Sequence, residues 1–330
     1  MRTARQRPTG MRHGALRRAP HSNRLAAVDA YVGCGLSAST QRGYASDLAH
    51  FKAWGGTVPC SASTVARYVA DFAGSLKVST LLRHLAAIAR AHVVGGFESP
   101  TGAPLVRATL RGIRRVHGTA QKQAKPITVA MLRKLVRPVP TYSALRNLRD
   151  RALILVGFAG GFRRSELAAL STGSVTFTRR GAVLHLRAGK TDPNGVGRHI
   201  AVPFGALPLC PVRALKEWIK ATRHLDTCPT QGGAQTCPLF RRIDRYGHPG
   251  GGLCDAAVGW ILTQRMQAVG LCTQGFSAHS LRAGLVTSAA RAGVPTWAIQ
   301  RQTGHKSEHM VRRYIRGLGL FEQNALKSVL

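Results

Sequence analysis

Three windows in the first third of the chain carry apolar residues at helical spacing. Between Ser39 and Trp54, Tyr44, Leu48, Phe51 and Trp54 recur at steps of four, three and three, which puts them on one helix face. Ser39 or Thr40 is the expected N-cap and Gly55-Gly56 the stop. Val65, Tyr68, Val69, Phe72 and Leu76 repeat the stripe, and Leu82, Leu85 and Ile88 do so again before Gly95-Gly96. Aromatic residues in such stripes read as core. Arg42, Arg67, Arg83, Arg90 and the run Arg111, Arg114, Arg115 are left facing outward. The pattern predicts a small helical module with a basic exterior.

The segment GTAQKQAKP (118–126) is polar, lacks acids and ends in proline, as a linker or strap does. Helical patterns follow in ITVAMLRKLV and LRNLRDRALILVGFAG. The period then switches to two: VTFT and AVLHLR alternate as a hairpin around Arg179-Arg180-Gly181, and HIAVP comes after the turn signal Asp192-Pro193-Asn194-Gly195. Five further helices are expected in PVRALKEWIKAT, DAAVGWILTQRMQAVG, SLRAGLVTSAARAG, PTWAIQRQTG and EHMVRRYIRG. The Gly- and Cys-containing stretch 226–252 reads as a loop or insertion without chemistry. The fold class is therefore mainly α (α+β) with a small antiparallel sheet. The expected division is a flexible basic arm (1–36), a helical domain (37–120), a linker (121–126) and a mixed domain with a C-terminal tail (127–330).

Charge changes the picture most. The 330 residues hold 48 Lys plus Arg against 13 Asp plus Glu, a formal +35, at a hydrophobic content of 44% that suits a folded protein. Such an imbalance repels itself in a compact state, and a polyanionic partner explains it most simply. Arg outnumbers Lys 38 to 10; codon bias and forked phosphate binding both account for that. The longest apolar run, Ala152 to Phe162, is broken by glycines and falls short of the ~20 residues of a membrane span. The N-terminus has no apolar core of a secretory signal. Its arginines, with no acid before Asp29, fit an organelle transit peptide but better fit an arm lying on nucleic acid. Seven scattered cysteines do not make a disulfide framework, and Cys228 and Cys237 lack zinc-type spacing. A reducing cytoplasm, no metal and no cofactor are expected.

Metal-free phosphoryl transfer from DNA needs a nucleophile, cations and donors around a phosphate whose charge rises, and an acid for the departing oxygen. Candidates occur in order along the second domain. Arg163 and Arg164 sit at a helix start, with Glu166 close behind. Lys190 lies beside a turn between strands. His279 and Arg282, spaced i and i+3, project from one helix face. His305 precedes Tyr314 by nine residues, which on a continuous helix would place them on opposite sides. Gly304 ending one helix and Ser307 capping the next, with Glu308 in its first turn, lets both face one pocket.

The windows GFRRSELAAL and HSLRAG…TGHKSEHMVRRYI resemble the tyrosine recombinase (phage integrase) family, and the resemblance spans roughly residues 37–330. It implies catalytic roles for Arg163, Lys190, His279, Arg282, His305 and Tyr314, with Glu166 as the supporting acid. Lys190 is placed by AGKTDPNG, which resembles the family's lysine-bearing hairpin. Gln302-Thr303 stands where the family often has two leucines. The early helical stripes are similar to the family's core-binding domain, which with the catalytic domain closes a clamp around DNA. Double-stranded DNA is then the partner, contacted by Arg42, Arg83 and Arg164 among others, and a homotetramer on paired sites the assembly, with Leu318, Leu320, Phe321, Leu326 and Leu330 of the tail docking either on a neighbour or on their own subunit.

Two rival readings remain. A type IB topoisomerase would share the tyrosine chemistry but relax supercoils as a monomer. A non-enzymatic regulator would use SAARAGVPTWAIQRQTGHKS as a helix-turn-helix, yet leaves Arg163, Lys190, His279 and Tyr314 without a purpose.

Overall fold

The computed structural model describes residues 35–120, 123–186, 196–225, 230–231, 234–235 and 237–315. The chain divides into two compact units, Met1–Gln121 and Lys122–Leu330. The expected basic arm, Lys190 and the tail after Gly317 lie outside the described residues.

The described residues of the first unit hold four α-helices: α1 (Ala38–Ala53), α2 (Ala62–Asp71), α3 (Val78–Val94) and α4 (Pro104–His117). Ser37, rather than Ser39 or Thr40, caps α1; its Oγ accepts from the N–H of Thr40 at 3.2 Å. Ser61 caps α2 in the same way through Thr64. Phe51, Val65, Tyr68, Val69, Leu85 and Ile88 form the core as their spacing predicts. The stripe on α3 begins one residue earlier than expected: Leu81 is fully buried, whereas Leu82 is 39% exposed. Helix α4 went unread because its stripe, Val106, Leu110 and Ile113, is interleaved with Arg111, Arg114 and Arg115. Proline at its first turn starts it, since that position has no intrahelical N–H bond to lose.

A polar chain crosses this core. Asp47 is buried, accepts from Arg83 at 2.7 and 2.8 Å and pairs with Nε2 of His84 at 3.1 Å. The other nitrogen of His84 meets the Tyr68 hydroxyl at 2.6 Å, and that hydroxyl meets Nδ1 of His50 at 2.8 Å. One hydroxyl carries one proton, so with the proton of His84 on the nitrogen beside Asp47, Tyr68 donates to His84 and accepts from His50. Burial, aided by Asp47, pushes the Tyr68 phenol up to about 12, and burial also lowers the His84 imidazole.

The second unit packs helices around a three-stranded antiparallel sheet, β1 (Val175–Thr178), β2 (Gly181–Leu186) and β3 (Arg198–Pro203), in that order. Before the sheet come α5 (Val129–Leu135), α6 (Ala144–Gly160) and the short α7 (Arg164–Ala168); α8 (Pro211–Thr222) follows it. Ala152 to Val156 on α6 are all buried, which makes this helix the spine of the unit's core. The last helices are α9 (Asp255–Ala268), α10 (His279–Arg291), α11 (Thr296–Thr303) and α12 (Glu308–Ile315).

The stretch 226–252 departs from the loop reading. It contributes two small ribbons, β4 (Thr230–Gln231) with β5 (Ala234–Gln235) and β6 (Arg241–Ile243) with β7 (Pro249–Gly252). Leu239 and Phe240 enter the main core, and the Leu239 carbonyl accepts the indole N–H of Trp218 at 2.7 Å. Cys237 is buried and disulfide-bonded, where a reduced thiol was expected.

Candidate active site

Three chain reversals bring the site together. Helix α6 ends at Gly161, whose left-handed backbone (φ 58°, ψ 35°) suits glycine, and the chain turns directly into Arg163, the N-cap of α7. Glu166, in the first turn of α7 and only 4% exposed, reaches back. Its Oε2 accepts from the backbone N–H of Arg163 at 2.9 Å and its Oε1 from the Arg163 guanidinium at 2.5 Å. One carboxylate thus caps the helix and aims the arginine.

Helix α10 supplies His279 and Arg282. Arg282 is 1% exposed, and its Nη1 donates to the carbonyls of Gly161 and Thr303, both at 2.6 Å. Its Nε donates to Nε2 of His305 at 3.3 Å, while the buried Nη2 has no hydrogen-bond partner among the described residues. Burial, with Arg163 nearby, draws this guanidinium down to about 10, so it stays charged at neutral pH. A buried cation with one donor unused is costly alone and suited to an incoming anion.

The break expected between His305 and Tyr314 is present. Gly304 ends α11 in the left-handed conformation (φ 67°) and α12 starts at Glu308. His305 and Tyr314 face each other with ring centres 5.5 Å apart, and Tyr314 is hydrogen-bonded through its hydroxyl to Nε2 of His279. The Thr303 hydroxyl donates to the Ile299 carbonyl at 2.7 Å, so its contact with His305 Nδ1 at 2.7 Å must be one it accepts. His305 therefore carries its proton on Nδ1 and offers a lone pair at Nε2 to Arg282. Burial first, then Arg282 and Arg163, hold its imidazole down at about 3; desolvation and the same arginines lower that of His279.

Arg163, Glu166, His279, Arg282, His305 and Tyr314 thus converge within one unit. The expected DNA contacts are elsewhere or engaged: Arg42 is exposed on α1, Arg83 is forked onto Asp47, and Arg164 pairs with Asp255 at 3.2 Å on the surface. Three residues escaped the sequence reading. Arg198 donates to Glu166 Oε2 at 3.1 Å and to the Gln302 carbonyl at 3.2 Å. The Gln302 amide bridges the carbonyls of Ala159 and Ala201, at 2.9 and 3.1 Å, and Thr303 orients His305. The last two occupy the positions where leucines were expected, and that polar departure was the available signal. Among the described residues no three His, Cys, Asp or Glu side chains gather so as to hold a metal ion.

The chain matches the phage integrase family over residues 127–318, a span that contains every residue of this cluster. It belongs to the phage integrase family. An integrase/recombinase xerD homolog of Selenomonas ruminantium is 38% identical over 301 residues, covering 88% of this chain and 85% of that protein. Recombinase cre of Escherichia phage P1 is 23% identical over 74% of the chain and 73% of its own length. Among solved structures, the Tn1549 transposon integrase in complex with transposon right end DNA superposes with a TM-score of 0.61 at 16% identity, covering 88% of this chain and 93% of that one. A lambda integrase dimer bound to a core site gives 0.58 at 16% identity, covering 91% and 96%. At such identities these two structures bear on the fold alone, which is mostly helical with a small antiparallel sheet.

Proposed function

We propose that this protein is a site-specific DNA recombinase that breaks and rejoins strands through a 3′-phosphotyrosyl intermediate. The observation that carries the reading is the convergence of the Tyr314 hydroxyl, the His279 imidazole and the Arg163 and Arg282 guanidinium groups in one pocket, within a single chain. A helix-turn-helix regulator would not need it. The stretch resembling that motif instead runs from α10 through α11 and, past its cap Gly304, includes His305 of the pocket. The xerD homolog's similarity over most of the chain favours recombination over supercoil relaxation.

In the proposed reaction Tyr314 Oη attacks the phosphorus of a phosphodiester while its proton passes to His279. The bond to the 5′-oxygen breaks, and Lys190 delivers a proton to that oxygen. Arg163 and Arg282 hold the nonbridging oxygens, where charge-assisted bonds are strongest. Because Nδ1 of His305 is committed to Thr303, this residue donates to phosphate only after gaining a proton at Nε2, a step that the phosphate's negative charge favours. The phosphoester energy stays in the tyrosyl link, so the 5′-hydroxyl of a second strand reverses the attack without ATP. Recombination requires two sites held together, which a homotetramer on double-stranded DNA in the cytoplasm would provide, with the tail after Gly317 as the contact between copies.

The test uses a nicked duplex carrying the site that the protein selects from a randomised pool. The parent protein should give a denaturant-resistant adduct, and Tyr314→Phe should bind the duplex equally well and give none. An adduct formed by the phenylalanine variant would overturn the reading. Truncation at Gly317 should abolish two-site complexes while sparing one-site binding.

A further inference from the structure

Glu166 poses an electrostatic problem for the proposed reaction. It aims Arg163, but a buried carboxylate also cancels the charge of the arginine it aims, and the pocket must attract a phosphate. Arg198 stands on the far side of that carboxylate. It is the first residue of β3, and its Nη2 donates to Glu166 Oε2 at 3.1 Å. Its Nη1 donates to the carbonyl of Gln302 at 3.2 Å, next in sequence to Thr303, whose carbonyl binds Arg282. The guanidinium also packs against Gly304: a Cβ there would fall 2.5 Å from Arg198 Nη1.

The geometry points to Arg198 as a positioning residue that neutralises Glu166 and joins the two halves of the arginine cradle. This rests on the recombinase reading above. Arg163 and Glu166 alone sum to zero charge; with Arg198 the trio is +1, and with Arg282 the pocket reaches +2. Arg198 therefore lets Glu166 orient Arg163 without cancelling the field that draws in the phosphate. Through Gln302 it also holds the corner from which Thr303 and His305 meet Arg282. Arg198 touches no reacting atom in this arrangement; it acts through Glu166 and Gln302.

The experiment measures single-turnover adduct formation on the nicked duplex at saturating protein, together with affinity for the same duplex. Arg198→Gln should slow adduct formation by about 10–100-fold, the scale for partners that orient a directly acting residue, while affinity changes less than about threefold. Arg198→Lys, which keeps the cation but has one compact donor group, should fall between the glutamine variant and the parent, and it serves if the glutamine variant folds poorly. Glu166→Gln combined with Arg198→Gln should be no slower than the slower single variant, because with the carboxylate uncharged there is nothing left to neutralise. Parental rates for Arg198→Gln, or multiplying losses in the double variant, would overturn the assignment. If the parent forms no Tyr314-dependent adduct, the recombinase reading fails first and takes the assignment with it.

Discussion

The Nε–H of Arg282 points at the lone pair of His305 Nε2, 3.3 Å away, and this pairing requires a neutral imidazole. Its pKa is held at about 3 against an ordinary 6.5. Between those values an unfolded chain takes up a proton that the folded chain refuses, so stability falls as pH drops through 6.5 and the loss levels off near 3. Thermal unfolding of the DNA-free protein from pH 8 to pH 4 should show this decline, and His305→Gln should make it shallower. His279 and His84, also lowered, act in the same direction, so the decline should not vanish. Identical slopes for parent and variant would mean that His305 is already charged.

Thr303→Val keeps the side-chain shape and removes the hydroxyl that accepts from His305. A buried N–H left without a partner costs about 1–3 kcal/mol. Denaturant unfolding should register a loss in that range, with an unchanged slope against denaturant concentration.

Gly304 and Gly293 share a left-handed backbone, with φ of 67° and 75°, but a Cβ on Gly293 meets open space whereas one on Gly304 meets Arg198. Both alanine variants should lose about 1–2 kcal/mol from the backbone alone. Only Gly304→Ala should lose more and also slow adduct formation. Equal effects at the two positions would show that the Arg198 contact has no consequence.

Arg282→Ala removes the proposed transition-state donor and strips two carbonyls, of Gly161 and Thr303, of their shared partner. Adduct formation should fall by about 10²–10³ or more, accompanied by a lower unfolding temperature. Arg282→Lys should recover part of the stability and little of the rate, since a single ammonium cannot fork across both carbonyls and the phosphate. Measuring unfolding and adduct rate on the same samples separates the two effects.

In the first unit, Tyr68→Phe interrupts the run from His50 through His84 to Asp47. The buried imidazole of His84 and the half-buried one of His50 each lose a partner, and the unit should lose about 1–3 kcal/mol. A change smaller than about 0.5 kcal/mol would mean that water replaces the hydroxyl at no cost.

Much of the fold was legible because burial imposes periodicity. The switch from step 3–4 to step 2 at Val175, the glycine stop at Gly304 and the break before Tyr314 follow from local chemistry alone. The misreadings came where local signals competed. Leu81 and Leu82 are adjacent leucines, and only packing decides which turns inward. Helix α4 hid its three apolar residues among arginines. The stretch 226–252 is held by contacts distant in sequence, such as Trp218 with Leu239, that no window of neighbouring residues contains. In the site, the side chains proposed to meet a phosphate follow one order and type along the sequence, which singled out Arg163, His279, Arg282 and Tyr314 as candidates. Arg198 and Thr303 serve other side chains rather than substrate, and an arginine at a strand start or a threonine at a helix end looks ordinary until its neighbours are seen.

The N–H of Ile127 bonds the carbonyl of Ser280 at 3.0 Å, and Gly284, one turn on, lies so close to the Ile127 carbonyl that a side chain there would collide with it. The polypeptide thus enters the second unit pressed onto the helix that carries His279 and Arg282, with nothing elastic in between. Ser280 stands between those two residues, so the bond from Ile127 anchors the turn of helix that presents both the imidazole and the guanidinium.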